Sequence, residues 1–116
     1  MKVLVSGSSG FVGRETCKVL EEKGVEVVPF DLMNGEQDVM DLESIEKVVK
    51  EKQPDRILHL AATARFSEAD KDSILAFRTN AWGTRNVAQI SEKYHIPVVY
   101  SSTGSVYMPV KGEMPI

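Results

Sequence analysis

Apolar and polar positions switch between two periods along this chain. Lys2-Val3-Leu4-Val5-Ser6 is a short apolar run that stops at a glycine, the pattern of a buried strand. Residues 11–23 change to helical spacing: Val12, Thr16, Val19 and Leu20 recur turn by turn, and Gly24 supplies the stop. Residues 25–30, rich in β-branched side chains, read as a second strand. Met33-Asn34-Gly35-Glu36 carries turn chemistry. Asp41 is placed to cap a helix whose Leu42, Ile45, Val48 and Val49 share one face, and Gln53-Pro54-Asp55 ends it. Residues 56–60 form a third strand. A long helical stretch is expected over 72–95, with Ile74, Phe77, Ala81, Trp82, Val87, Ala88 and Ile90 spread over a wide arc. An arc that wide predicts packing on more than the sheet. Pro97 blocks continuation, residues 98–101 form a fourth strand, and from Ser102 onward glycine, serine and proline punctuate a loop.

Strands that alternate with helices define an α/β chain with a parallel sheet and crossover helices. The expectation is one domain over residues 1–116, a Rossmann-type three-layer fold of about four strands. Right-handed crossovers predict the strand order 3-2-1-4. The length allows burial of about two-thirds of the unfolded surface, enough for one core.

Charge and cysteine content narrow the function. The net charge is −3, and no lysine or arginine stripe forms, which argues against nucleic acid and anionic membrane as partners. Val3-Leu4-Val5 is too short for a signal peptide or a membrane span. Cys17 is the single cysteine, so no intramolecular disulfide and no zinc ligand set exist, and a reduced cytoplasm fits. Cys17 shares a helix face with Gly13 and Leu20 and is expected to be buried and inert.

The clearest chemical signal is Gly7-Ser8-Ser9-Gly10-Phe11-Val12-Gly13 at the first strand-to-helix junction. Gly7 allows a sharp turn out of the strand, Gly10 lets a pyrophosphate approach the backbone, and Gly13 lets the helix sit close to the strand. The helix start, at Phe11 and Val12, offers N–H groups and a positive dipole end to an anion. Such glycines also occur in ordinary turns. Here they follow a strand, open a helix, and precede by roughly 20 residues an acid at a strand end. That acid is Asp31. Its carboxylate can accept from both adenosine ribose hydroxyls and would repel a 2′-phosphate, favouring NAD over NADP. The plainer alternative is an aspartate that starts a turn.

With these residues in place the chain resembles the extended short-chain dehydrogenase/reductase family, especially its nucleotide-sugar epimerases and dehydratases. The resemblance covers the whole length. It is carried by the glycine motif, Asp31, Asp38-Val39-Met40-Asp41, Pro54-Asp55-Arg56-Ile57-Leu58-His59-Leu60-Ala61-Ala62, Asn80 with Gly83-Thr84, and Ser101-Ser102-Thr103-Gly104-Ser105-Val106-Tyr107. It implies that Asp38 and Val39 touch the adenine ring and that Leu60, Ala61 and Ala62 pass beneath the cofactor. Asn80 is implied to fix the active-site wall. Thr103 is implied to be the catalytic hydroxyl on the reacting oxygen, with Ser102 as runner-up.

The family's Tyr-x-x-x-Lys pair, which moves a proton while NAD moves a hydride, belongs to a helix beyond Thr103. The sequence stops at Ile116 before that helix is due, so the fold is expected to be truncated. Tyr107-Met108-Pro109-Val110-Lys111 matches the pattern literally, but Pro109 argues against the helix that the spacing needs. The expected function is thus the NAD-binding segment of a nucleotide-sugar epimerase or dehydratase, binding NAD weakly and not turning over alone. A nucleotide-sugar substrate would bind only with the C-terminal part supplied. An exposed fourth strand and an unpartnered long helix favour a homo-oligomer. Two further readings stay open: a stand-alone NAD-binding or partner-docking module without activity, and a small complete enzyme using Tyr107 and Lys111.

Overall fold

The computed structural model describes residues 1–63 and 66–103. Four parallel strands, β1 (Lys2–Ser6), β2 (Glu26–Phe30), β3 (Arg56–His59) and β4 (Val98–Tyr100), form one sheet. Between them run α1 (Phe11–Glu22), a 3-10 turn (Leu32–Asn34), α2 (Leu42–Lys52), α3 (Phe66–Lys71), α4 (Ser73–Phe77), a π-helical segment (Arg78–Trp82) and α5 (Gly83–Tyr94).

The sheet order is β2-β1-β3-β4, not 3-2-1-4. The expected order requires the chain to lay a further strand outside β2 before turning back. Residues 31–41 offer no apolar run for one. They are polar, and Asp31, Asp38 and Asp41 each accept a backbone N–H within a local turn or cap. The chain goes straight into α2 and returns across β1, so Leu4 pairs with Val28 on one side and with Ile57 on the other. The third strand of this chain therefore takes the place that a fourth strand holds in the 3-2-1-4 arrangement.

Right-handed crossovers over a chain that reverses at β1 put α1 on one face and α2 with α5 on the other. The core lies on the second face, where Leu4, Phe30 and Ile57 of the sheet meet Ile45 and Val49 of α2 and Val87 and Ile90 of α5. Burial of each such side chain stabilises by about 1.5–3 kcal/mol. On the first face only Gly13 of α1 is fully buried, while Val12 and Val19 are exposed. Cys17 is accordingly half-buried rather than buried, and desolvation raises its thiol pKa.

The helix ends follow their residues. Gly24, at φ +76°, stops α1; Asp41 Oδ1 accepts from the Glu43 N–H at 3.0 Å to start α2; Gln53 and His95 take left-handed conformations after α2 and α5. Asp72 caps the long helix through the Leu75 N–H. From Ser73 to Tyr94 the backbone stays helical but winds one turn as a π segment, where Thr84 Oγ1 donates to the Asn80 carbonyl at 2.6 Å. Within the wide apolar arc, Val87 and Ile90 face the core, while Ile74, Phe77 and Trp82 are exposed.

Candidate functional site

The C-terminal ends of β1, β2 and β3 converge where the chain leaves β1 in both directions, the switch point at which open α/β sheets bind ligands. β1 is followed by Gly7, whose N–H donates to the Phe30 carbonyl at 2.8 Å and thereby ties the glycine turn to the end of β2. Gly7 sits at φ +73°, and a Cβ there would meet the Ala61 backbone nitrogen at 2.8 Å. Glycine is thus required twice, for the turn and for the close passage of the strand end Leu60-Ala61. Gly13 is closer still. A Cβ on it would stand 2.0 Å from the Gly7 carbonyl oxygen, so the first turn of α1 rests directly on the loop.

Gly10 precedes α1 in an extended conformation, and no side chain caps the helix. The helix start is therefore not filled by a side chain of its N-cap. Asp31 lies against the same loop. Its Oδ2 accepts from the Ser9 N–H at 2.9 Å and its Oδ1 from the Met33 N–H at 3.0 Å. The carboxylate thus starts the 3-10 turn and stays beside the glycine corner, so its two sequence readings describe one position.

A cleft of about 320 Å³ opens here, near the lower end of the roughly 300–1,000 Å³ typical of small-molecule sites. Gly7, Gly10, Asp31, Asp38, Val39, Leu60, Ala61 and Ala62 line it together. Val39 is buried and held from behind: its carbonyl accepts from Asn86 Nδ2 at 2.9 Å, and a Cβ on Gly83 would stand 2.8 Å from its Cγ2. Asn80 stands outside the lining and clamps the wall. Its Oδ1 accepts from the Thr63 N–H at 2.7 Å, and its Nδ2 donates to the Thr63 carbonyl at 3.0 Å. Phe11 and Val12 are exposed at the helix start, and neither lines the cleft. Thr103 is exposed beyond β4 and is likewise not part of the lining. Tyr107 and Lys111 lie outside the described residues.

Phe30 and Met40 also line the cleft, and Leu32, Gln37, Thr63, Leu75 and Thr79 complete the lining without having been singled out from the sequence. Leu75 and Thr79 carried a signal, since a spacing of four places both on one helix face just ahead of Asn80. Thr63 carried none, because its place depends on the Asn80 clamp. No group of His, Cys, Asp and Glu suited to a metal ion occurs among the described residues, and no described helix is long and apolar enough to cross a membrane.

A glycine corner, a carboxylate at the next strand tip and an apolar floor at the switch point define a Rossmann-type site of the extended short-chain dehydrogenase/reductase kind. The chain belongs to the family described as the RmlD substrate binding domain, whose profile matches residues 1–113. It is 32% identical to a UDP-glucose 4-epimerase of Rhizobium leguminosarum bv. trifolii over 90% of this chain and 36% of that protein. Among solved structures, the dTDP-4-dehydrorhamnose reductase of Bacillus anthracis in complex with NADP is 31% identical, with a TM-score of 0.84 over 97% of this chain and 39% of that one. The UDP-glucose 4-epimerase of Thermus thermophilus in complex with NAD is 29% identical, with a TM-score of 0.85 over 97% of this chain and 42% of that one. The chain spans 36–38% of the length of the curated relatives it matches first.

Proposed function

We propose that this chain is the NAD-binding segment, residues 1–116, of an NAD-dependent enzyme acting on a nucleotide sugar as an epimerase or dehydratase. The observation that carries the reading is the shared cleft, in which Gly7, Gly10, Asp31, Asp38 and Val39 face one space at the switch point. The residues present fit a dinucleotide. The glycine corner leaves no Cβ between backbone and ligand, and α1 begins without a side-chain cap. In this reading a diphosphate lies against Gly10 and the helix start at Phe11 and Val12. Asp31 takes the adenosine ribose, Asp38 and Val39 take the adenine, and Leu60, Ala61 and Ala62 pass beneath. Asn80 holds the wall through Thr63, and Thr103 bonds the reacting oxygen of the sugar. NAD, when bound, supplies hydride transfer. Proton transfer and sugar recognition belong to a longer protein of the relatives' length, and the isolated residues 1–116 bind NAD without turnover.

NAD is favoured over NADP because Asp31 stands where a 2′-phosphate would come. A cytoplasmic, self-associating protein completes the reading. Exposed Ile74, Phe77 and Trp82 on the long helix and Val99 and Tyr100 on β4 support self-association. Titration calorimetry with NAD and NADP tests the cofactor assignment. Saturable binding with tighter affinity for NAD is expected, and equal affinities would remove the ribose role given to Asp31.

A further inference from the structure

His59 is buried at the end of β3, and its two ring nitrogens are bonded in opposite directions. On one side Ser6 Oγ lies 2.6 Å from Nδ1. That oxygen already faces the Leu60 N–H at 3.1 Å, which it shares with the Ser6 carbonyl, and the Ala61 N–H at 3.2 Å. With both its lone pairs addressed by donors, the hydroxyl must give its own hydrogen to Nδ1. On the other side Thr84 Oγ1 lies 3.2 Å from Nε2 and donates to the Asn80 carbonyl, which can only accept. The threonine oxygen therefore presents a lone pair to Nε2, which must carry a hydrogen. Two independent ends of the chain thus demand the same neutral tautomer. Among the described residues, the groups bonded or stacked against the ring are Ser6 from β1, Thr84 from α5 and Tyr100 from β4, whose ring is stacked at 5.9 Å. No carboxylate or cation is among them, and burial lowers the imidazole pKa.

The relay joins two walls of the cleft. Ser6 fixes the Leu60-Ala61 strand end that passes 2.8 Å from where a Gly7 Cβ would be, and Asn80 holds Thr63. We propose that His59 is a positioning residue of the cleft: neutral, with its hydrogen on Nε2, it sets the Leu60-Ala61 floor through Ser6 and supports the Thr63 wall through Thr84 and Asn80. A proton added at Nδ1 would place an N–H against the Ser6 oxygen and force it to release a floor amide. Acidification therefore loosens the floor and weakens a ligand held there. Only the choice of NAD as probe rests on the dinucleotide reading.

The test uses the full chain labelled with 15N. Long-range proton–nitrogen correlations should show an unprotonated Nδ1 and a protonated Nε2 on His59. As the pH is lowered from about 7.5 toward 5, the Leu60, Ala61 and Thr63 amide signals should move with the imidazole titration, and NAD affinity should fall with the same midpoint. Saturating NAD should push that midpoint lower. His59→Asn, which retains an acceptor near the Nδ1 position, should keep NAD affinity within about threefold, while His59→Leu should lose about tenfold, the scale of one buried hydrogen bond left unmade. A hydrogen on Nδ1, floor amides indifferent to the His59 titration, or equal losses in the two variants would overturn the proposal. If the unmutated chain binds no NAD, the cofactor reading fails, while the tautomer and the amide titration still decide the role of His59.

Discussion

Gly13 rests on Gly7 so closely that any side-chain carbon would collide with the Gly7 carbonyl oxygen, 2.0 Å from the ideal Cβ position. The neighbouring contacts are also backbone, with the Gly7 carbonyl carbon and the Ser8 Cα both at 2.9 Å, so no rotamer change can relieve them. Gly13→Ala is expected to destabilise the fold by about 3 kcal/mol, the upper part of the usual overpacking range, and to abolish NAD binding. Urea denaturation checks the first outcome and calorimetry the second. An unchanged denaturation midpoint would show that α1 can lift off the loop without cost.

Asp31 joins the glycine loop to the turn after β2 through Ser9 and Met33. Asp31→Ala removes both of those contacts and the carboxylate proposed to accept from the ribose. NAD affinity should fall roughly tenfold, on the scale of a hydrogen bond to a charged group, and the preference over NADP should shrink. Calorimetric titration of both cofactors against both proteins measures it. A preference that survives the substitution would locate discrimination elsewhere.

Gly83 presses on Val39 from α5, so that a Cβ added to the glycine would come within 2.8 Å of Val39 Cγ2. Alanine would gain up to about 1 kcal/mol of helix propensity at this position. Val39 is β-branched, buried and fixed through its carbonyl by Asn86, so it cannot swing aside. Gly83→Ala should therefore be net destabilising by about 1–2 kcal/mol and should narrow the cleft where Val39 lines it. Thermal unfolding with and without NAD separates the two effects.

Glu46 of α2 receives Lys93 and Tyr94 of α5, and these hydrogen bonds, Lys93 first, hold its carboxyl below the ordinary value of 4.5. A carboxylate depressed in the folded state adds stability above its unfolded pKa, and that contribution disappears as pH falls through the folded value. Stability should accordingly decline as pH drops below about 4.5, and Glu46→Gln should flatten this part of the profile. Added salt should reduce the difference, because the partner ammonium is exposed. Chemical denaturation across this pH range provides the measurement.

Much of the site was legible because its residues act through short-range rules. The glycine corner, Asp31 as the acid at the strand tip, and Asp41 and Gly24 as helix punctuation each depend on local backbone chemistry, and the helix bounded by Asp72 and His95 followed from periodicity and Pro97. The strand order was not legible, since it depends on a strand that residues 31–41 fail to make, and a failure of that kind has no pattern of its own. Thr63 was equally hidden. Its backbone is held by Asn80 across a sequence distance that only the folded chain closes. The burial of Cys17 was not fixed by its helix face, because helical spacing shows which face of α1 is apolar but not whether anything covers it.

The π segment at Arg78–Trp82 holds one residue more than an ordinary helix needs for the same rotation, because a π turn rotates less per residue than an α turn. Leu75 and Thr79 line the cleft, and Val87 and Ile90, farther along the same rod, are buried in the core. Removing one residue between 78 and 82 should therefore let the rod rewind as plain α-helix with both halves keeping their places. The same deletion in the regular turns on either side should instead twist one half out of register with its partners.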